Sequence, residues 1–228
     1  MKSGGGVQVR EIWQGIQSLV LASHCLGCRI PFPGGSESPL CLNCLKRLPW
    51  SIHRLSPPGG RTGFDQAICP FSYKGLAKEL IMALKYHGRL SVAPLLGKLL
   101  AQTLTQRLGP DPADGIVPIP LHPTRIRERG FNQALVLAQV LAKRLRLSCR
   151  KDLLIRHRPT EPQAGLCREE RLANVRDAFR LHPDPWVRLK RILLVDDVYT
   201  TGATAEACAK LLKQAGAQAV TVAAIAHG

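Results

Sequence analysis

The stretch from Arg191 to Ala205, R-I-L-L-V-D-D-V-Y-T-T-G-A-T-A, decides the fold of this chain. Ile192 to Val195 is a short apolar run, as a strand buried on both faces requires. Two acids, Asp196 and Asp197, follow where such a strand is expected to surface. Thr200, Thr201, Gly202, Ala203 and Thr204 then form a small, hydroxyl-rich turn, and the Ala-rich segment to about Gln214 reads as the helix it opens. Strand, acids, small loop and helix start together make a cradle for phosphate. The N–H groups and dipole of a helix start attract an anion, and Gly202 and Ala203 let the backbone approach it closely. Paired carboxylates ahead of such a loop can hold a polyol, a Mg2+ ion, or both. An ordinary buried strand ending in solvated acids is the alternative, but the order of residues is much richer than that reading needs.

Outward from this stretch, strands and helices alternate. Val220 to Ala226 reads as a closing strand, Leu153 to Ile155 and Asp114 to Pro120 as two more, and Phe64 to Tyr73 as strand-forming. Helices are expected over Leu76–Tyr86 with a stop at Gly88, over Pro94–Leu108, and from about Asn132 to Leu145. The pattern predicts an α/β domain of parallel strands with helices on both faces and the site at the carboxyl ends of the strands. The L-H-P-T-R-I-R-E-R-G-F-N-Q segment reads as a loop carrying Arg125, Arg127 and Arg129, suited to a second phosphate group or else a solvated basic turn. The first half of residues 156–179 reads as a mobile loop, turning helical near Leu166.

Ahead of this domain, Val7 to Ala22 has amphipathic helical spacing. Cys25, Cys28, Cys41 and Cys44 follow as C-L-G-C, twelve residues, C-L-N-C. Four thiolates in two knuckles can surround one Zn2+ tetrahedrally, with His24 as an alternative ligand. Pro49 to Gly63 is rich in Pro, Gly and Ser and reads as a linker. The expected division is residues 1–50 for the helix and zinc module, 51–63 for the linker, and 64–228 for the α/β domain. Cys69, Cys149, Cys167 and Cys208 have no paired spacing and read as small core or surface residues.

At 228 residues and 45% hydrophobic content, the chain can bury one substantial core and carry a small extra module. No apolar run approaches a membrane span, so no membrane insertion is expected. The first ten residues lack the pattern of a secretory signal, which points to a cytoplasmic protein with reduced cysteines. The net charge of +16 is concentrated: Leu121 to Arg191 holds 17 basic and 7 acidic residues, a field that attracts pyrophosphate groups or nucleic acid.

The run 191–205 closely resembles the phosphoribosyl pyrophosphate (PRPP) motif of type I phosphoribosyltransferases. That resemblance implies that Asp196 and Asp197 face the ribose hydroxyls as the catalytic acids, that Thr200 to Thr204 hold the 5-phosphate, and that Mg2+ accompanies PRPP. From about Leu21 to Ile225 the chain resembles the ComF family, bacterial proteins that pair an N-terminal zinc ribbon with a phosphoribosyltransferase domain. The resemblance rests on C-L-G-C with C-L-N-C, L-K-Y-H-G at 84–88, V-P-I-P-L with R-G-F-N-Q within 117–133, T-E-P-Q-A-G-L with R-L-A-N-V within 160–175, and the PRPP motif. It implies a role in competence, the uptake of DNA, or in nucleotide metabolism. In purine-salvage transferases the position of Thr200 is an aspartate that can act as general base; a threonine cannot do so near neutral pH.

Three function classes remain open on the sequence. A PRPP-using transferase would attack ribose C1 with loss of pyrophosphate, helped by Mg2+ and arginines. A nucleotide-sensing adaptor of the DNA-uptake machinery, working with other DNA-uptake proteins, would bind ligand without turnover. A single-stranded DNA binder would show salt-sensitive affinity, although 5% aromatic content argues against a stacking platform. The acceptor and any homo-oligomeric state are not legible in the residues.

Overall fold

The computed structural model describes residues 24–32, 38–56, 63–158 and 177–228. The expected helix at Val7–Ala22, the one near Leu166, and the motifs between 160 and 175 lie outside the described residues. The chain divides into two compact units, Met1–Leu48 and Pro49–Gly228.

In the first unit, Cys25 and Ile30 close a tight turn through Cys25 N–H donating to the Ile30 carbonyl at 3.0 Å. Arg29 inside that turn takes a left-handed φ of 64°. A single-turn helix, α1 (Leu42–Lys46), starts at Cys41, whose sulfur accepts from the Cys44 N–H. Cys25, Cys44, Leu40 and Leu48 are buried. Among the described residues of this unit, two of the four buried apolar side chains are thiols, so a bound metal would add directly to the stability of its core.

The second unit is built on a six-stranded sheet. Its strands are β1 (Trp50–Leu55), β2 (Gln66–Ser72), β3 (Gly115–Pro118), β4 (Ser148–Cys149), β7 (Arg191–Tyr199) and β8 (Ala219–His227). Their order is β1-β2-β8-β7-β3-β4, parallel throughout except for the antiparallel edge strand β1. A separate antiparallel pair is formed by β5 (Leu154–Arg156) and β6 (Phe179–Leu181).

Among the described residues, five α-helices accompany this sheet: α2 (Gly75–Tyr86), α3 (Ala93–Leu108), α4 (Pro123–Arg129), α5 (Gln133–Leu145) and α6 (Ala203–Gln214). Strand alternation sorts the apolar residues of β7 to two faces. Ile192 and Leu194 join Val220, Val222 and Ala224 of β8 under Cys208, Ala209 and Leu212 of α6. Leu193 and Val195, also fully buried, point the other way, toward the face on which α3 and α5 pack. Each such Leu or Ile contributes about 1.5–3 kcal/mol by leaving water. On α3, Gly97 lets Val140 of α5 come so close that a Cβ there would lie 2.4 Å from the valine side chain.

The mixed α/β architecture matches the expectation, with three corrections. Trp50–Leu55, expected as linker, is a strand that pairs with β2 and sets Trp50 against Phe71 with ring centroids 4.7 Å apart. Apart from Pro49 just ahead of it, the prolines and glycines that signalled a linker fall after this run, so the alternating W-S-I-H-R-L run was free to add an edge strand. Second, β7 does not end at Val195. It continues through Asp196↔Ala224 and Tyr199↔His227, so the acids sit within the sheet rather than where it surfaces. Third, the arginines at 125, 127 and 129 lie on the short helix α4, not in a loop. Pro123 at its first turn and the His122 ring nitrogen, which accepts from the Thr124 N–H at 3.3 Å, start the helix. Gly130, at φ 86°, ends it.

Candidate functional site

The carboxyl end of β7 carries the chemistry. Because side chains alternate along a strand, Asp196 and Asp197 leave the sheet on opposite faces. Asp196 faces the α6 side and lines a cleft with Thr200, Gly202, Ala203 and Thr204. Its Oδ1 accepts the Asp197 N–H at 2.8 Å. Burial, with the neighbouring Asp197 charge, pushes its carboxyl up to about 7.

Asp197 faces the other way and is 2% exposed, which corrects the expectation of two solvent-facing acids. Its Oδ2 lies 2.8 Å from Nζ of Lys85 in the last turn of α2. Burial works to lower the Lys85 pKa, but the Asp197 carboxylate outweighs it and the net displacement is upward. Lys85 is therefore a protonated counter-ion to the Asp197 side chain. Sequence reasoning gave Lys85 no role. The L-K-Y-H-G run drew notice only through the family resemblance, and nothing in it discloses a partner on β7.

The turn between β7 and α6 is tight for a stated reason. Gly202 adopts φ 76°, and a Cβ there would lie 2.5 Å from the Tyr199 hydroxyl. Thr201 Oγ1 accepts the Ala203 N–H at 3.4 Å, and the Glu206 N–H reaches the Gly202 carbonyl at 2.8 Å, opening α6. The cleft thus sits at a helix start, with small or hydroxyl-bearing residues as its floor and one half-exposed acid at its rim.

The three arginines do not converge. Arg125 pairs with Glu128 at 2.8 Å on the exposed side of α4. Arg127 is exposed. Arg129 turns inward, donating to Oε1 of the buried Gln133 at 2.5 Å, with its guanidinium 5.2 Å from the centre of the Tyr86 ring. Asn132 caps α5 by accepting the Ala134 N–H and donates to the Ile119 carbonyl at 3.0 Å, which gives the R-G-F-N-Q motif a positioning role beside β3. Arg156 of β5 was also overlooked. It is half-buried against the Phe179 ring, and burial lowers its pKa while the charge of Asp196 opposes that.

In the first unit, one sulfur from each of Cys25, Cys28, Cys41 and Cys44 lies within 4.8 Å of the others. Cys28 and Cys41 are 3.7 Å apart, close to the separation of about 3.8 Å that tetrahedral Zn–S bonds impose. N–H groups of Cys41 and Cys44 point at Cys25 and Cys41 sulfurs at 3.3 and 3.4 Å, the donors a thiolate cluster needs. The donor set therefore fits a soft or borderline ion such as Zn2+. Cys69 and Cys208 are buried within the second unit, and burial raises both thiols, Cys69 to about 12. Among the described residues, no helix is long and apolar enough to cross a membrane.

A family model described as "Phosphoribosyl transferase domain" matches residues 132–228, the segment from the cap of α5 through the cleft to the end of β8. DNA utilization protein YhgH of Escherichia coli is 38% identical over 225 residues, covering 90% of this chain and 96% of that protein. Competence protein F of Haemophilus influenzae is 29% identical over 219 residues, 87% of either chain. Competence protein ComFC of Streptococcus pneumoniae is 34% identical over 150 residues, covering 66% of this chain and 63% of that protein. With relatives of this kind aligned along nearly its whole length, and a phosphoribosyltransferase domain that contains the β7–α6 cleft, the chain belongs to the ComF family.

Proposed function

We propose that this chain binds PRPP together with Mg2+ in the β7–α6 cleft and works in competence or DNA utilization, for which its relatives are named. The observation that carries the reading is the cleft itself, where Asp196 stands beside the Thr200–Thr204 turn at the start of α6. In this reading the turn takes the 5-phosphate through helix-start N–H groups and threonine hydroxyls. Asp196 accepts hydrogen bonds from the ribose hydroxyls. Arg127, the exposed arginine of α4, would serve the pyrophosphate, and bound Mg2+ would supply neutralisation of its charge. If turnover follows, an acceptor forms a bond to ribose C1 as the C1–O bond breaks and pyrophosphate departs with the electron pair. Thr200 offers no base for that step, so the acceptor must arrive as a competent nucleophile. The cysteine cluster takes one structural Zn2+.

Calorimetric titration of PRPP with and without Mg2+, followed by an assay for released pyrophosphate, tests this. Saturable Mg2+-dependent binding is expected. Its absence removes the reading, and binding without release on any acceptor assigns the chain to a sensing adaptor. The exposed arginines of α4 favour a second reading, direct contact with single-stranded DNA.

A further inference from the structure

The carboxyl end of the sheet has a second side. Asp197 and Lys85 meet on the face away from the α6 cleft, and Tyr86 follows Lys85 as the last residue of α2. The core face of that helix is made by Ala77, Leu80, Ile81 and Leu84; Tyr86 lies outside it and is 63% exposed. The Arg129 guanidinium stands over its ring, 5.2 Å from the centroid. Arg129 is in turn anchored by its hydrogen bond to Gln133, which is buried. Covered on one face and still this exposed, the ring keeps its other face toward solvent. Ile126, three residues before Arg129 and so on the same side of α4, is exposed as well.

Single exposed rings are common on protein surfaces and need no ligand. Tyr86 differs in being clamped. A guanidinium anchored from the interior fixes the ring, so a planar ligand stacking on the free face has little left to order. Arg89, which closely follows Tyr86 in the chain, and Arg127 of α4 are exposed and supply positive charge for a phosphate. We propose that Tyr86, clamped by Arg129, is a stacking site for one unpaired nucleobase, on the side of the sheet away from the cleft. The ligand is a nucleotide, either free or within a single strand. The low aromatic content fits a site of this size: one ring takes one base, whereas a platform lines up several. The inference does not rest on the PRPP reading, because the sugar phosphate has no base to stack.

The test compares two labelled strands of about ten units at one salt concentration, oligothymidylate and an abasic strand carrying the same phosphates. The full chain is used, with ribose 5-phosphate in excess throughout so that a site for phosphate and sugar alone cannot account for the binding. Wild type should hold the thymidylate strand more tightly than the abasic one. Tyr86→Ala should lose about tenfold in affinity for thymidylate and nothing for the abasic strand. Its thermal transition should match wild type, since the side chain is exposed. Tyr86→Phe keeps the ring and should behave as wild type. Thymidine monophosphate, titrated by calorimetry, identifies the source of the base: Tyr86-dependent binding of the monophosphate without Tyr86-dependent binding of the strand assigns a free nucleotide. Equal loss of both strands in Tyr86→Ala, the mark of a charge or folding effect, overturns the proposal. So does a Tyr86→Ala variant that binds the thymidylate strand and the monophosphate as wild type does.

Discussion

Gly202 and Tyr199 are fitted to each other: a Cβ on Gly202 would lie 2.5 Å from the Tyr199 hydroxyl and 2.9 Å from its ring carbon. Tyr199 is itself fixed, with its ring edge-on to Phe64 at 6.1 Å and tilted against His227 at 5.8 Å. The shape of the turn between β7 and α6 is thus held from below by the last residue of β7.

Gly202→Ala should therefore destabilise the second unit by about 1–3 kcal/mol, from the clash together with a left-handed φ that alanine dislikes. It should also weaken ribose 5-phosphate. Adding Tyr199→Phe removes the nearest atom but not the ring, so only part of the loss should return. Urea unfolding of the single and double variants checks this, and an unchanged midpoint for Gly202→Ala would contradict the fit.

Asp196 should impose a pH dependence on stability. Its folded pKa, about 7, lies above the usual carboxylate range because of burial and the Asp197 charge. The folded state then holds the proton more tightly than the unfolded state, and stability contributed by this group falls as pH rises from about 4 to about 7. Asp196→Asn should match wild type near pH 4 and exceed it above pH 7, by at most about 4 kcal/mol, less where solvent reaches the half-exposed carboxylate. A stability difference independent of pH would show that the carboxyl is not displaced. Asp197→Asn should instead destabilise at neutral pH, because it strands the Lys85 ammonium.

The arginines of α4 should separate by partner. Arg129→Glu breaks the contacts with Gln133 and Tyr86 and should cost about 1–3 kcal/mol, whereas Arg127→Glu should stay within about 0.5 kcal/mol of wild type. If these residues serve a pyrophosphate group, Arg127→Glu weakens PRPP far more than ribose 5-phosphate. If they belong to a nucleic-acid surface, it leaves PRPP alone and lowers the salt dependence of single-stranded DNA binding by about one unit of slope.

Zinc removal should act on the first unit by itself. Structural Zn2+ in small thiolate modules supplies about 10–16 kcal/mol, more than a core of a few buried side chains provides. A strong chelator, or Cys44→Ser, should make residues up to Leu48 protease-sensitive while the thermal transition of Pro49–Gly228 persists. Protein purified without chelator and free of zinc by elemental analysis would refute the assignment of the cluster.

The residues themselves announced the β7–turn–α6 unit, since an apolar run, small hydroxyl residues and an alanine-rich helix are local signals that need no partner. The helix from Asn132 was legible for the same reason: its cap acts within two residues of itself. The four cysteines were legible because metal geometry restricts their spacing.

What escaped reading depended on contacts distant in sequence. The length of β7 is set by its pairing with β8, and that length decides that Asp196 looks into the cleft and Asp197 into the core. The apolar run alone, ending at Val195, could not reveal that the ladder continues four residues further. Lys85 finds Asp197 only once α2 has docked, and a lone lysine at a helix end carries no sign of such a partner. Trp50–Leu55 became a strand because β2 offered it an edge. The sequence by itself determined the strand–turn–helix unit that lines the cleft and the cluster of four cysteines. Only the tertiary structure decided which acid faces the cleft, because strand alternation assigns faces only when the neighbouring strands have fixed where the strand ends.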